Sequence, residues 1–191
     1  EKIGDERIET IYNKRFNEDQ NILSAHIGMT EAESDVLVLE GDCIYNEESM
    51  KSFISMIGRN RNTIFTIGEP DYNAENAILK RDSNGKLIGY KIGKREPPLS
   101  LDNWSNMAGA VLFSQSDLPS ILSWLDRTKE DPAKTYYFQP LVDMDEFEVD
   151  LYGLGENAEF STFNTQKQYL EIMDSMGVET KIKLIETDSL K

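Results

Sequence analysis

A carboxylate that follows an apolar strand is the first candidate for chemistry in this sequence. Val36–Leu39 (VLVL) form a continuous apolar run, and Gly41-Asp42 follow it directly after Glu40. Such a run is typical of a strand buried on both faces of a sheet, and open α/β sheets bind ligands beyond the carboxyl ends of their strands. Asp42 is therefore placed to contact a ligand. Asp is also a favoured turn and capping residue, so a purely structural role for Asp42 stays open at this point.

Other reactive residue types are scarce. His26, the only histidine, lies on a predicted helix without Cys, Asp or Glu at metal-ligand spacing, so we interpret it as a surface or hydrogen-bonded core residue. Cys43 adjoins Asp42, but a thiol at a strand end without a paired base is usually inert. Asp143 and Asp145 form an Asp-x-Asp pair like that of metal-dependent glycosyltransferases. This pair follows a predicted helix instead of a buried strand, which indicates a solvated acidic turn.

The composition limits the classes of partner. The chain has 191 residues, with 35 Asp and Glu against 20 Lys and Arg, and a formal charge of -15. This charge argues against a nucleic-acid groove or an anionic membrane surface, because phosphate backbones are bound by clustered cations. No apolar run has membrane-spanning length and the N-terminus has no signal-peptide pattern, so we expect a cytoplasmic protein. Because the sequence begins without Met, we also expect it to be an excerpt of a longer protein.

The first half predicts alternating strands and helices. A β-prone run, Ile8–Tyr12, precedes a polar loop and a predicted helix over Asn21–Ala32, which leads to the apolar strand. Asn46 is a predicted cap for a helix that Gly58 ends, and Thr63–Ile67 is the next strand. Two successive strand-helix-strand units indicate an α/β fold with an at least partly parallel sheet.

The second half adds an antiparallel part. Asn84-Gly85 between two β-prone runs is a strong hairpin signal. The remaining predictions are a strand at Met107–Phe113, a helix at Leu118–Lys129, a short helix at Tyr136–Val142, a strand at Phe147–Tyr152, and a last helix capped by Thr165 and ending at Met176.

Three pieces in this order resemble the nucleotidyltransferases that join a nucleoside triphosphate to a sugar phosphate, phosphocholine or a phosphonate. IETIYNKRFNEDQNILS is similar to a strand, a loop and the Asn-x-x-Ser helix start of the phosphocholine branch, through Asn21 and Ser24. VLVLEGDCIYN resembles the strand whose terminal Asp holds magnesium, and FSTFNTQKQYLEIM resembles the segment that carries the second metal ligand. Between them, SNMAGAVLFSQSDLPSILSWL resembles the kinked strand and helix that line the acceptor pocket.

The resemblance implies a three-layer α/β/α domain of the nucleotide-diphospho-sugar transferase (GT-A-like) type. It implies a mixed, mostly parallel sheet that lacks its first strand-loop-helix. By the same resemblance, Asp42 and Asn164 hold Mg2+, Asn21 and Ser24 contact the nucleotide with Asp42, and CTP is the favoured donor. Gly109 would line the acceptor pocket, and Trp104 would either join it or cover the core as a lid. Taken without the resemblance, Asn21 is better explained as a helix cap.

Two departures from the family pattern bear on activity. The Gly-rich loop with Arg and Lys that grips the triphosphate is absent from this sequence, so the chain as given is not expected to be catalytically competent. Asn164 replaces the usual second Asp, and its amide oxygen is a weaker magnesium ligand than a carboxylate. A non-catalytic nucleotide- or sugar-phosphate-binding module and a glycosyltransferase therefore stay as alternatives. We expect a partial nucleotidyltransferase domain over 1–177 and a tail or linker over 178–191.

Overall fold

The computed structural model describes residues 8–18, 21–70, 77–93, 100–131 and 136–178. In chain order its elements are α1 (Ile22–Met29), β1 (Val36–Leu39), β2 (Cys43–Tyr45), α2 (Glu47–Ile54), β3 (Asn62–Thr66), β4 (Ile78–Arg81), β5 (Leu87–Lys91), β6 (Trp104–Phe113), α3 (Leu118–Thr128), α4 (Pro140–Asp143), β7 (Val149–Gly153), β8 (Phe160–Thr162) and α5 (Gln166–Ser175). None of the described helices has the length and apolar character needed to cross a membrane. Most of the predicted tail, 179–191, lies outside the described residues.

Six strands form one mixed sheet. Its order is β5-β4-β6-β3-β7, and β1 pairs with the far end of β6, on the edge opposite β3. The strands β1, β3, β4 and β7 run in one direction, whereas β5 and β6 run in the other. The expected α/β fold with a mixed sheet is confirmed. Because β6 separates β1 from β3, only β3 and β7 are hydrogen-bonded parallel neighbours among the described strands.

Alternate residues of the central strands point into two separate cores. Ile64 and Val111 pack with α1, α3 and the 136–141 segment on one face, while Phe65 and Ala110 pack with Phe53 of α2 on the other. This alternation is what the two-residue period of a strand produces when both faces are covered. The molecule therefore has the expected helix-sheet-helix layering.

Local capping explains where several helices begin. The Asn46 side chain accepts a hydrogen bond from Ser49 N at 3.0 Å, so the predicted cap of α2 is confirmed. Thr165 and Gln168 form a reciprocal capping box at the start of α5. Pro119 lies in the first turn of α3, where its missing N–H costs no hydrogen bond. The predicted helix at Leu118–Lys129 is observed as α3, and its residues Leu118, Ile121 and Leu125 are buried.

One predicted strand is wrong. Ile8–Tyr12 has no regular secondary structure, and the side chains of Ile8, Ile11 and Tyr12 are exposed. β propensity alone does not form a strand, because the backbone N–H and C=O groups need a partner strand. The first of the two predicted strand-helix-strand units is therefore absent from the described structure.

A small second sheet had no counterpart in the predictions. β2 and β8 pair antiparallel, with Cys43 opposite Thr162 and Tyr45 opposite Phe160. Each strand has only three residues, which is too short for periodicity to reveal. This pairing joins the segment that follows β1 to the segment that precedes α5.

Candidate functional site

A cavity of about 1110 Å³ lies beyond and beside the carboxyl end of β1. Its walls come from β1 and the turn after it, from α1, from the aromatic run 136–138, and from β8 with Asn164. Five of the six residues predicted to form the site line this cavity, namely Asn21, Ser24, Asp42, Gly109 and Asn164. The fold therefore brings together residues that are distant in sequence.

The small second sheet sets the relation between Asp42 and Asn164. Phe163 N donates a hydrogen bond to the Asp42 carbonyl oxygen at 2.9 Å, which continues the β2-β8 pairing by one step. Asn164 is the next residue, and its own N–H donates to Gln168 Oε1 at 2.8 Å. Both side chains line the same cavity. The two predicted metal ligands thus lie at one end of one cavity.

The carboxylate of Asp42 does not cap a turn or helix. In the described part of the chain, Asp42 Oδ1 accepts a long hydrogen bond from Cys43 Sγ at 3.9 Å, and the following helix is capped by Asn46. Asp42 is exposed to solvent at the mouth of the cavity. The structural alternative for this residue is therefore wrong, and its oxygens are available to a ligand.

Glu40 is a second carboxylate at this site, and the sequence reasoning missed it. Its Oε1 accepts a hydrogen bond from the Tyr137 hydroxyl at 3.3 Å, and its N–H donates to Gly109 O at 2.9 Å. Burial raises the pKa of Glu40, the negative charge of Asp42 raises it further, and the bond from Tyr137 opposes both. Glu40 directly follows the apolar strand β1, but its partners Tyr137 and Gly109 are distant in sequence, so the sequence alone gave no signal for this half-buried carboxylate.

The Cys43 thiol is protonated at neutral pH. Burial raises the pKa of Cys43 to about 12, with the Tyr45 hydroxyl lowering it and the carboxylates of Glu40 and Asp42 raising it. A thiolate is the nucleophilic form, so the expectation of an inert thiol agrees with this environment. Ligand atoms of Glu40, Asp42 and Cys43 all lie within 4.8 Å of one another. Of these, only the two carboxylates are hard oxygen donors.

Gly109 makes the close approach of β6 to this cluster possible. Its φ is +64°, and a Cβ on it would lie 2.8 Å from Cys43 Sγ and 3.0 Å from Tyr45 Oη. The register between β3 and β6 shifts between Ile64 and Thr66, which marks a bulge around Gly109. The Gly109 carbonyl accepts hydrogen bonds from Glu40 N and from the Tyr45 hydroxyl, each at 2.9 Å. The bulge thereby fixes the end of β1.

Trp104 is the predicted site residue that does not line this cavity. It begins β6, and Lys80 Nζ lies 5.7 Å from the centroid of its ring. A cation over an indole face is a common surface arrangement. The structure thus separates Trp104 from Gly109, with which it had been grouped in an acceptor pocket.

Asn21 is the N-cap residue of α1, but its side chain does not make the capping hydrogen bond that its residue type suggests. Its φ is +74°, and its side chain makes no capping hydrogen bond to α1. Instead, Asn21 Oδ1 accepts a hydrogen bond from Tyr137 N at 3.2 Å. Ser24 Oγ accepts one from Asn13 Nδ2 at 2.9 Å. Asn21 therefore occupies the N-cap position of α1, as expected, but its side chain joins the start of the helix to the aromatic wall of the cavity instead of capping it.

The remaining candidates lie elsewhere. His26 Nε2 is 3.9 Å from Asp126 Oδ1, between α1 and α3, in accordance with a surface or partnered histidine. Asp143 ends α4 and Asp145 follows it; both are exposed and do not line the cavity. Asp145 Oδ1 lies 3.4 Å from Lys86 Nζ. The Asp-x-Asp pair is therefore not at the end of a buried strand, and nothing in its position favours a glycosyltransferase site.

The described lining of the cavity carries negative charge only. Glu40 and Asp42 are its charged members, and Lys, Arg and His are absent from it. A highly anionic ligand would meet two carboxylates there. Its charge would need compensation by a metal ion or by groups outside the described lining.

No protein-family model matches this sequence. No curated protein matches it either. Two of the solved structures that share its fold are nucleotidyltransferases. The CTP:phosphocholine cytidylyltransferase from Streptococcus pneumoniae superposes with a TM-score of 0.64 at 14% identity, covering 89% of this chain and 69% of its own. A putative glucose-1-phosphate thymidylyltransferase from Bacillus anthracis, in complex with sucrose, gives a TM-score of 0.54 at 10% identity, covering 85% of this chain and 63% of its own.

The resemblance to nucleotidyltransferases is confirmed at the level of the fold. The chain spans about two thirds of the length of each matched structure. This chain has the α/β fold of the sugar-phosphate and phosphocholine nucleotidyltransferases.

Proposed function

We propose that this chain is the carboxyl-side portion of a magnesium-dependent nucleotidyltransferase. In the complete protein it would join a nucleoside triphosphate, with CTP favoured, to a small phosphorylated or phosphonate acceptor and release pyrophosphate. The observation that carries the proposal is the hydrogen bond from Phe163 N to the Asp42 carbonyl, which ties the two predicted metal-binding segments together at one cavity. The shared fold of two nucleotidyltransferases supports the same class of reaction.

The donor set suits magnesium. Mg2+ prefers hard oxygen ligands and usually keeps several waters, so one carboxylate and one further protein oxygen suffice. Asp42 and Asn164 offer these groups, and Glu40 adds a second carboxylate nearby. The Cys43 thiol, with its raised pKa, would not compete as a ligand. When bound, the ion would neutralise the charge of the reacting phosphates, which is the main requirement of phosphoryl-type transfer.

The chain's own residues would orient the reactants. Asn21 and Ser24 lie at the start of α1 on the cavity wall, where they would contact the nucleotide. The Gly109 bulge would hold Glu40 and the end of β1 in place through the bonds its carbonyl accepts. An attacking phosphate oxygen of the acceptor would displace pyrophosphate from the α-phosphorus, so no protein nucleophile is required.

Asp42→Asn in the complete protein is the direct test. We expect magnesium-dependent pyrophosphate release from CTP, assayed with phosphocholine and glucose 1-phosphate as acceptors, to fall by at least about a hundredfold. The circular dichroism spectrum should not change, because the Asp42 side chain is exposed and accepts no hydrogen bond from a backbone N–H of the described residues. Asp174→Asn makes the same chemical change on the exposed surface of α5 and should leave the rate unaltered. Full activity of the Asp42 variant would refute the assignment.

One observation favours a second candidate, a non-catalytic nucleotide- or sugar-phosphate-binding module. The described cavity lining has no cation, and an amide stands where the second carboxylate is usual. Such a module would be stabilised against heat by CTP with Mg2+ yet release no pyrophosphate with either acceptor. The enzyme would show both responses, so one pair of assays separates the two candidates.

A further inference from the structure

The Asn84-Gly85 pair, which predicts the β4-β5 hairpin, also has a covalent chemistry of its own. It is the only Asn-Gly pair in the 191 residues. We propose that Asn84 is a site of spontaneous modification, at which the chain loses ammonia and converts to isoaspartate or aspartate, and that the folded turn slows this reaction. The proposal concerns the hairpin and does not depend on the reaction proposed above.

The reaction uses atoms that are neighbours in the chain. The backbone nitrogen of Gly85 attacks Cγ of the Asn84 side chain, and the new N–C bond closes a succinimide ring. The side-chain nitrogen leaves as ammonia, and it takes the proton that Gly85 N gives up. Water then opens the ring at one of its two carbonyl carbons, which yields aspartate or, with the main chain rerouted through the side chain, isoaspartate. Water is the only co-reactant in this conversion.

The exposure of the hairpin tip favours the attack. Asn84 and Gly85 are both exposed, and within the described residues the Asn84 side-chain amide makes no hydrogen bond. Gly85 has no Cβ to shield its nitrogen, and even an added Cβ would meet nothing within 4 Å. Other exposed asparagines, Asn60 and Asn157 among them, precede residues that carry a side chain. That side chain hinders the approach of the backbone nitrogen to Cγ, so these asparagines should react more slowly.

The hydrogen bonds of the turn oppose the attack. Gly85 N donates to the Asp82 carbonyl oxygen at 3.1 Å, so the attacking nitrogen must first give up this bond. Asp82 Oδ1 accepts the N–H of Asn84 at 2.8 Å and that of Lys86 at 2.9 Å, which fixes the backbone on both sides of Gly85. Asp commonly stabilises turns through such bonds from its side chain to the backbone. The modification therefore starts from the opened turn, and its rate follows how often the Asp82 bonds break.

Isoaspartate at position 84 does not fit this turn. It adds one carbon to the main chain, whereas the folded turn is closed by Asp82 N, which donates to Lys86 O at 2.9 Å. The strands that the turn joins lead to the candidate site, since Ala77, just before β4, and Ile92, just after β5, line the cavity. A modification at the exposed tip would therefore loosen one wall of the cavity.

Peptide mass spectrometry of the full chain, incubated at physiological temperature in mildly alkaline buffer, tests the proposal. We expect the peptide that contains Asn84 to gain about 1 Da and to split into two isomeric products, at least about tenfold faster than the peptides of Asn60 and Asn157. Asp82→Ala should speed the conversion at Asn84 by at least about threefold, because the turn opens more often. Asp174→Ala makes the same change on the exposed surface of α5 and should leave the rate unaltered.

Unfolding in guanidinium chloride gives a second measure of the restraint, which does not depend on a variant. The conversion at Asn84 should rise there by at least about threefold, since all bonds of the turn are broken. The isoaspartate form, separated by chromatography, should have a lower Tm than the unmodified chain, because the hairpin loses its turn bonds.

Three results would overturn the proposal. Asn84 could convert no faster than Asn60 and Asn157, which would show that the tip is not a preferred site. Its conversion could stay as slow in guanidinium chloride as in the folded protein, which would show that the turn does not restrain it. The isoaspartate form could have the Tm of the unmodified chain, which would show that the turn accommodates the longer main chain.

Discussion

Asn21 holds a backbone conformation that few residues other than glycine adopt. Its φ is +74°, in the left-handed region where Asn is tolerated better than most side chains. The same residue accepts the N–H of the buried Tyr137, which would otherwise lack this partner. Asn is therefore suited to this position for two reasons: it tolerates the left-handed backbone, and its side-chain oxygen accepts the Tyr137 N–H.

Substitution of Asn21 separates these two effects. Asn21→Gly keeps the left-handed conformation but removes the acceptor for Tyr137 N, so we expect a loss of about 1 kcal/mol in the free energy of unfolding. Asn21→Ala should lose roughly 1 kcal/mol more, because alanine is strained at this φ. Urea denaturation of both variants measures the difference. A loss of only a few tenths of a kcal/mol for Asn21→Gly would instead match a simple helix cap and would contradict the role of the Tyr137 bond.

For single residues, the sequence predicted correctly those site positions that depend on residues close by in the chain. Asp42 follows an apolar strand, and that pattern alone predicted it to lie at a ligand site. The setting of Glu40 depends on Tyr137 and Gly109, which are far away in sequence, so no local pattern reveals its burial. The partner of the Asn21 side chain is equally remote, which is why the local capping preference misled.

At the scale of elements, the bulge in β6 decides the shape of the site. β6 pairs with two different strands along one edge, with β4 at Trp104–Asn106 and with β1 at Ala110–Phe113. Gly109 lies between these two stretches, and its carbonyl contacts Glu40 and Tyr45. A bulge here re-aims the strand and lets the turn after β1 approach closely.

Gly109→Ala should destabilise the protein by roughly 1–3 kcal/mol, since a Cβ both clashes with the Cys43 and Tyr45 side chains and disfavours the positive φ. The free energy of unfolding from urea titration is the measurement. Gly153→Ala, in β7, is the matched control, because its Cβ would meet nothing within 4 Å and its φ is not positive. That variant should be neutral or slightly stabilising. Equal stability of the two variants would contradict the close packing described for Gly109.

The elements that sequence patterns predicted correctly are those with strong local signals. The Asn84-Gly85 turn predicted the β4-β5 hairpin, and the helix predicted at Leu118–Lys129 is observed as α3. Ile8–Tyr12 has a strand-like composition, but the described structure gives it no strand to pair with. The strands β2 and β8 were not predicted, because three residues are too few to show the alternation of a strand.

At the scale of the whole molecule, the excess of negative charge opposes the compact state. There are 35 acidic and 20 basic side chains, and the formal charge is -15. Repulsion among surface charges is long-ranged at low salt, since the Debye length is about 30 Å at 0.01 M and about 8 Å at 0.15 M ionic strength. Folding brings these charges closer together, so screening should favour the folded protein.

Raising NaCl from about 0.01 M to about 0.15 M should therefore increase Tm by about 2–4 °C, which corresponds to roughly 1 kcal/mol for a protein of this size. Differential scanning fluorimetry is sufficient for the measurement. MgCl2 at matched ionic strength should add a further increase that is lost in Asp42→Asn, because binding to the folded state alone stabilises it. A Tm that falls with NaCl would show that attractive ion pairs outweigh the net repulsion.

The place of β6 between β1 and β3 also sets an order of events on the ribosome. β1 and β3 make no hydrogen bonds to each other, and both depend on residues up to Phe113. At about 5–20 residues per second, the nascent chain waits several seconds with two apolar segments and no strand to receive them. The β4-β5 hairpin needs no such delay, since its partners are adjacent in sequence. The apolar segments β1 and β3 would therefore stay exposed to chaperones until β6 has left the ribosome.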